Sequence, residues 1–191
     1  MVGKTGSGKS TSGNTILGKE CFKSQLSAKS LTTDCEKVYG EVDGKWVAVI
    51  DTPGLFDTKS TEGETYKGIS QSISYASPGP HIFLVVIELG RFTEEEKQSV
   101  EKIQEIFGEE ANKYSMVLFT HGDQLKGKSI EEFLKDSDDL NNVLAKYNGQ
   151  YHVFNNEMED HSQVSELLEK IGKMNVQDRP HYYITREGAS C

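Results

Sequence analysis

Residues that could bind a polyphosphate stand at the start of the sequence. Positions 3–10 read Gly-Lys-Thr-Gly-Ser-Gly-Lys-Ser, which matches the phosphate-loop pattern of Gly, any four residues, Gly, Lys and Ser or Thr. Because glycine allows backbone angles that other residues avoid, successive N–H groups of such a loop can surround an anion at the start of the next helix. We expect Lys9 to reach the β- and γ-phosphates and Ser10 to ligate Mg²⁺; the alternative is a flexible loop that has this composition by chance. The predicted ligand contacts of the loop are Gly3, Lys4, Thr5, Gly6, Ser7, Gly8, Lys9, Ser10 and Thr11.

A metal site is predicted where the strand 45–50 ends. Asp51 begins an Asp-Thr-Pro-Gly turn; it would hold Mg²⁺ through a water molecule, and the Gly54 N–H could contact the γ-phosphate. Such turns are common by themselves, so this prediction depends on the phosphate loop lying opposite. Thr32 or Thr33, in the polar stretch before the first hairpin, could complete the Mg²⁺ coordination, or it could be a solvated loop residue. The predicted metal ligands are Ser10, Thr32 and Asp51.

A base-recognition site is predicted at the ends of two later strands. Asp123 closes a Thr-His-Gly-Asp turn after the predicted strand 114–119, and its carboxylate could accept hydrogen bonds from N1–H and the exocyclic amine of guanine. Adenine has no such donor pair, so the site would discriminate against it. The usual guanine signature is Asn-Lys-x-Asp; Thr120 and His121 depart from it, but His121 could stack on the base. Asn155 and Asn156, after the last strand, could contact the base or could only close the turn, with Asn156 the favoured contact.

Composition argues against a nucleic-acid-binding protein and against a membrane-spanning one. The 191 residues carry a formal net charge of −9, whereas nucleic-acid binders usually have a basic patch. The longest apolar run, at 82–87, is far too short to cross a bilayer. No secretory signal is present, and the three cysteines lack metal-ligand spacing, which is typical of a cytoplasmic protein.

Strands alternating with helices predict an α/β fold with a mostly parallel sheet and helices on both faces. In such sheets, ligands bind at the carboxyl ends of the strands, where all the candidate residues fall. The strand before the phosphate loop is represented only by Met1 and Val2, so we expect a truncated first strand, with a natural start at Met1 as the alternative.

The apolar strand 45–50 is predicted to be buried on both faces, with Trp46 in the core. The predicted elements are helix 9–17, a hairpin of strands 35–42 and 45–50 turning at Asp43-Gly44, strands 81–87, 114–119 and 151–154, a helix from a Thr93–Glu96 capping box to 107, an interrupted helix 130–147 and helix 160–174. The acidic residues 94–96 are predicted to lie on a solvated helix face.

Together these motifs resemble the GTPases of immunity-associated proteins, the AIG-type G domains related to chloroplast import-receptor GTPases. The resemblance rests on VGKTGSGKSTSGNTILG, LTTDC, DTPGLFDT, THGDQL and FNN, and above all on GPHIFLVVIELGRFTEEE. It implies a Ras-like G domain, a three-layer P-loop NTPase fold, over residues 1–176, with a C-terminal tail at 177–191. It also implies GTP or GDP with Mg²⁺ as ligands and nucleotide-dependent homodimers or oligomers, often at organelle or vesicle membranes. Membrane attachment in relatives comes from segments that this sequence does not contain, and Asp34 stands where relatives often carry threonine.

The resemblance also bears on hydrolysis. Ras-type enzymes place a glutamine just after the Asp-Thr-Pro-Gly turn to orient the attacking water, whereas this sequence has Leu55 and Phe56. Intrinsic GTP hydrolysis should therefore be slow, and Arg91 is the candidate to supply the missing charge to a second copy in trans. Alternatively, Arg91 is a surface residue paired with the acidic run 94–96. The predicted catalytic residues are Arg91, Lys9 and Thr32; a nucleotide-gated scaffold with negligible hydrolysis is the rival function, and Asp123 weakens a third interpretation as an ATPase.

Overall fold

The computed structural model describes residues 1–23, 35–54, 82–90 and 92–175, together with positions 63, 67, 72 and 74–76. Thr32, Leu55, Phe56, Arg91 and the tail 177–191 lie outside this part of the chain. The strands that it describes are β1 (Glu36–Val42), β2 (Lys45–Asp51), β3 (Phe83–Glu88), β4 (Ser115–Thr120) and β5 (Tyr151–Val153). The numbered helices are α1 (Lys9–Leu17), α2 (Glu94–Phe107), α3 (Ile130–Lys135), α4 (Asp138–Lys146) and α5 (Ser162–Asn175), with 3₁₀ turns at Glu109–Tyr114 and Gly122–Leu125.

The strands form a parallel group and an antiparallel hairpin joined by the first two residues. β3, β4 and β5 pair in parallel in that order, and β1 pairs antiparallel with β2. Val2 bridges to β3, because its N–H donates to the Leu84 carbonyl at 2.9 Å and its carbonyl accepts from Val86 N–H at 2.8 Å. On the other side, the Met1 amino group donates to the Ile50 carbonyl of β2 at 2.7 Å. Met1 and Val2 therefore occupy the place of the predicted first strand, between the hairpin and the parallel strands.

Alternating side chains on β3 and β4 build a core on each face of the sheet. Val85 and Val117 belong to one buried cluster, to which α2 and α4 contribute, while Leu84 and Leu118 belong to another, to which α1 and α5 contribute. A strand buried on both faces needs an unbroken apolar sequence, which explains the runs in β3 and β4. The result is the predicted three-layer α/β architecture, with the carboxyl ends of the strands facing the phosphate loop.

Local signals placed the helix boundaries correctly. Thr93 and Glu96 form the predicted capping box at the start of α2, and Gly18 ends α1 in the left-handed conformation. The predicted interruption within 130–147 falls at Ser137, whose hydroxyl accepts from the Leu140 N–H and so begins α4. Among the described helices, none combines the length and the apolar character that crossing a bilayer requires.

The prediction that β2 is buried on both faces is wrong. Trp46 is 50% exposed, and Ala48 beside it on the same face is also exposed, whereas Val49 on the opposite face is buried. The hairpin packs one face on α1 and leaves much of the other open, so the apolar residues of its outer face are not core residues. Its turn is tied to α5: the Asp43 carboxylate lies 2.8 Å from His161 Nε2 and accepts from the Ser165 hydroxyl at 2.7 Å.

His152 is a buried histidine on β5 and gives the fold a testable pH dependence. Its Nε2 lies 2.7 Å from the Gln163 carbonyl. Burial lowers the pKa of the imidazole, and Lys170 adds to this, while the contact with Gln163 and the charge of Glu166 oppose it. The folded protein therefore holds this imidazole neutral at a pH where the unfolded chain, with a pKa of about 6.5, takes up a proton. Stability from this group is present above pH ~6.5 and is lost as the pH falls below it.

Replacing His152 with glutamine, which can still donate to a carbonyl, should weaken the loss of stability between pH 7 and pH 5. The free energy of unfolding at pH 7 should fall by about 1 kcal/mol, because the glutamine amide should make a weaker hydrogen bond to the Gln163 carbonyl than the imidazole does. Urea unfolding at both pH values measures the two effects. The exposed His161→Gln variant is the control and should show the same loss of stability between pH 7 and pH 5 as the wild type. If His152→Gln also shows that full loss, His152 is not the group responsible for it.

Candidate functional site

The phosphate loop curls in front of β4 and depends on glycine at its last turn. Gly8 has φ +91° and is the residue before α1. A Cβ at this position would lie 3.1 Å from Thr120 Cγ2, and the left-handed backbone would strain any other residue. The start of α1 is thereby pressed against the end of β4, which brings the loop to the carboxyl edge of the sheet.

Lys9 is held inside the loop. Its side chain is buried, and its ammonium donates to the Lys4 carbonyl at 2.8 Å and to the Gly3 carbonyl at 3.2 Å. Burial lowers the pKa of Lys9 to about 8, and the nearby charge of Asp51 only partly opposes this. A buried cation that donates to two neutral carbonyls, and whose burial the charge of Asp51 offsets only in part, is poorly compensated, which is the electrostatic condition for attracting an anionic ligand.

Ser10 and Asp51, two of the predicted metal ligands, meet as expected. The Ser10 hydroxyl donates to Asp51 Oδ2 at 2.5 Å, and Asp51 is 1% exposed. These are hard oxygen donors of the kind that Mg²⁺ takes from proteins, usually one or two at a time. The residues present therefore fit a Mg²⁺ ion, while Thr32, the third predicted ligand, lies outside the described residues.

Several buried polar atoms at the phosphate loop lack a hydrogen-bond partner within the described part of the chain. They are Thr5 Oγ1, Ser7 Oγ and Asp51 Oδ1. Buried polar atoms in folded proteins are nearly always satisfied, so unsatisfied ones that cluster at one site call for an explanation. A phosphate group and a metal-bound water would supply the missing partners.

The Asp-Thr-Pro-Gly turn lies directly against the phosphate loop. A Cβ at Gly54 would come within 2.6 Å of Thr5 Cα, so only glycine fits at this contact. The Thr52 hydroxyl also donates to the Met1 carbonyl at 2.9 Å, which fixes the turn to the strand before the loop. The two motifs that the sequence predicts to act together are thus adjacent.

The predicted base-binding turn is anchored to the loop by Thr120. The Thr120 hydroxyl is buried and donates to the Ser7 carbonyl at 2.8 Å, and His121 Nδ1 lies 3.1 Å from the same hydroxyl. The Asp123 carboxylate is exposed and accepts from the Gln124 side-chain amide at 3.0 Å. In the same turn, His121 has a left-handed backbone with φ +58°. Sequence reasoning treated Thr120 only as a departure from the guanine signature; its structural role depends on a partner 113 residues away.

Asn156 and Asn155 hydrogen-bond within the protein. Asn156 accepts from the Thr15 hydroxyl at 2.8 Å and donates to the Ser12 hydroxyl at 3.1 Å, which ties the last loop to α1. Asn155 accepts from the Glu157 N–H at 3.1 Å, in the manner of a turn-forming residue. Contact of either side chain with a base stays a prediction.

Lys4 makes a contact that the sequence did not indicate. Its ammonium lies 2.6 Å from Glu95 Oε2 and 3.2 Å from Glu96 Oε1, at the first turn of α2. Glu96 is 6% exposed, so the prediction of a solvated acidic face is wrong for this residue. The capping box was predictable, but the burial of its carboxylate against the phosphate loop was not.

Comparisons with known proteins agree with this arrangement. GTPase IMAP family member 8 of Homo sapiens is 33% identical over 95% of this chain and 28% of that protein. Immune-associated nucleotide-binding protein 9 of Arabidopsis thaliana is 36% identical over 90% of this chain and 52% of that protein. The chain thus spans about a quarter to a half of these relatives.

Solved structures share the fold at low sequence identity. Toc33 from Arabidopsis thaliana, in complex with Mg²⁺ and GMPPNP, has a TM-score of 0.71 and 17% identity over 93% of this chain and 83% of that one. Era, in complex with MgGDPNP and a segment of 16S ribosomal RNA, has a TM-score of 0.64 and 19% identity over 95% of this chain and 57% of that one. The family model described as "AIG1 family" matches residues 1–188. The chain therefore belongs to the AIG1 family.

Proposed function

We propose that this chain is a guanine-nucleotide-binding domain that binds GTP and GDP with Mg²⁺ and hydrolyses GTP. The observation that carries the proposal is the phosphate loop itself, where Lys9 is buried and where the buried Thr5 Oγ1 and Ser7 Oγ lack hydrogen-bond partners among the described residues. Relatives named as GTPases and as nucleotide-binding proteins support it, as do the Mg²⁺ complexes of Toc33 with GDP and GMPPNP.

Each part of the site would have a defined task. The loop amides and Lys9 would bind the phosphates, Ser10 and Asp51 would hold Mg²⁺, and Asp123 would select guanine. The metal, when bound, would neutralise charge on the phosphates. Membership of the AIG1 family and the formal net charge of −9 favour a nucleotide over a nucleic acid as the ligand, and we propose a cytoplasmic location for the domain.

Calorimetry with Mg²⁺ tests the binding proposal. GTP and GDP should bind, and ATP at equal concentration should not compete. Equal uptake of ATP would contradict the guanine specificity, and no uptake of any nucleotide would refute the proposal.

We further propose that hydrolysis is slow in single copies and is stimulated when two copies meet, with Arg91 of one copy acting on the γ-phosphate bound by the other. The sequence offers Leu55 and Phe56 where Ras-type enzymes have a water-orienting glutamine, so an additional group is required. One solved structure of related fold comes from work on atToc33 and psToc159, for which dimerisation is important for GTPase activity. Another is a dimerisation-deficient arginine-to-alanine variant of Toc33. The importance of dimerisation in those proteins supports a dimeric mechanism here, and the sequence supplies Arg91 as the candidate for the acting group.

The dimer proposal predicts that GTP turnover per molecule rises with protein concentration. Arg91→Ala should remove this rise and leave GTP affinity close to that of the wild type, since the arginine would act only across the dimer. Phosphate release across a dilution series measures both variants. A flat wild-type curve, or an unchanged Arg91→Ala curve, would count against the proposal.

The apolar pair Leu55-Phe56 also favours a second candidate, a nucleotide-gated scaffold in which GTP drives assembly and hydrolysis is negligible. Single-turnover phosphate release, combined with particle size in GDP and in a non-hydrolysable GTP analogue, separates the two. Assembly with the analogue but no phosphate release from GTP would favour the scaffold.

A further inference from the structure

The ion pair between Lys4 and Glu96 joins the phosphate loop to the start of α2. Lys4 contributes at both ends of this link: its carbonyl accepts from the Lys9 ammonium, and its own ammonium reaches Glu96. Glu96 in turn accepts from the Thr93 N–H at 2.9 Å and from the Thr93 hydroxyl. A continuous chain of polar contacts therefore runs from Lys9 to Thr93, the N-cap residue of α2.

Glu96 is not placed as an ordinary helix cap. An exposed carboxylate would suffice to cap a helix, whereas this one is buried, at a cost that its partners must offset. Burial by itself would raise the pKa of Glu96, but Thr93 and Lys4 together hold it below its usual value, so the group is charged. Glu95, which also contacts Lys4, has a side chain that is 63% exposed, and its ion pair contributes little.

The other contacts of this region fix its surroundings. Leu89, the residue after β3, is buried, and its N–H donates to the Thr120 carbonyl at 3.1 Å. Phe92 packs on the core cluster that includes Val85 and Val117. Leu89 and Phe92 are thus held by the sheet and its core, and Thr93 is held by Glu96.

We propose that Glu96 is a positioning residue that transmits the state of the phosphate loop, through Lys4, to the first turn of α2 and to Phe92 and Thr93, the residues that follow Arg91 in the sequence. This inference rests on the proposed function, because the loop must bind a nucleotide for its state to change. Glu96 makes the start of α2 respond to occupancy of the phosphate loop without itself touching the ligand.

Hydrogen exchange of the Glu96→Gln variant tests the coupling without measuring activity. Glutamine preserves a capping box, since its carbonyl accepts from the N-cap amide, but it removes the charge that pairs with Lys4. In the wild type, GDP with Mg²⁺ should protect the amides of 3–10 and also those of 93–97. In Glu96→Gln the loop should still be protected, while the added protection at 93–97 should fall by about half or more, because the charge-assisted contact is lost.

The exposed Glu95→Gln variant is the matched control and should behave as the wild type. Protection of 3–10 without protection of 93–97 in the wild type, or equal protection of 93–97 in Glu96→Gln, would overturn this inference alone. No protection of 3–10 by GDP would instead show that the proposed nucleotide binding is wrong, and the inference would fall with it.

Kinetics separate positioning from a purely structural role. Glu96→Gln should lower the turnover of the concentrated protein about tenfold, since small displacements of a reacting group are costly, while the KM for GTP changes little. In an Arg91→Ala background the same substitution should have no further effect. An equal loss in both backgrounds would show that Glu96 acts on the phosphate loop directly, and would refute the positioning role.

Discussion

Lys9→Met should weaken binding of GTP and GDP by about 100-fold or more, because a buried charge that pairs with a ligand is costly to remove. Lys9 is buried with its ammonium directed at the Gly3 and Lys4 carbonyls, where a methionine side chain fits but makes no charge-assisted bond. Calorimetry or a fluorescent guanine nucleotide measures the loss.

The same variant should not destabilise the protein without nucleotide. Burial lowers the pKa of Lys9 to about 8, so below pH ~8 the charged ammonium reduces the free energy of unfolding. Replacing Lys9 with methionine removes this destabilisation at neutral pH. We therefore expect an unfolding free energy equal to or above that of the wild type. Lys19→Met, at an exposed position just after α1, should leave nucleotide affinity unchanged. Wild-type affinity in Lys9→Met would contradict the role of the loop.

Asp123→Asn should change which base the protein binds. The carboxylate accepts from two donors of guanine; an asparagine amide presents a donor of its own to one of them, so GTP affinity should fall by about 10³-fold or more. Xanthine carries a carbonyl where guanine has its exocyclic amine, and the asparagine N–H can donate to it. Xanthosine triphosphate should therefore bind the variant better than GTP does.

Competition between the two nucleotides in the wild type and in Asp123→Asn measures this exchange of preference. Asp123 is exposed and contacts Gln124, so the substitution should leave the unfolding free energy within about 0.5 kcal/mol of the wild type. Asp136→Asn, at an exposed position just after α3, is the control and should keep the preference for GTP. An unaltered preference in Asp123→Asn would place base recognition elsewhere.

Local structures that depend only on residues close together in the sequence were predictable. The phosphate loop, the Asp43-Gly44 hairpin and the Thr93–Glu96 capping box each specify their geometry within a few residues, and the structure contains all three. The alternation of strands and helices also indicated a sheet with helices on both faces, which the two core clusters confirm.

Features that depend on distant partners were not predictable. An apolar strand has the same sequence pattern whether helices cover one of its faces or both, so the sequence predicts a core position for Trp46 although this residue is half exposed. The burial of Glu96 required knowing that a lysine 92 residues earlier lies beside it. The role of Thr120 likewise depended on the Ser7 carbonyl, so sequence located the candidate site but not the contacts that hold its parts together.

The ties from Thr120 to Ser7 and from Asn156 to α1 bear on how a bound nucleotide leaves. Both join the segments predicted to bind the base to the segment predicted to bind the phosphates, so movement at one end should disturb the other. We therefore expect a factor that opens either end to speed release of the whole nucleotide.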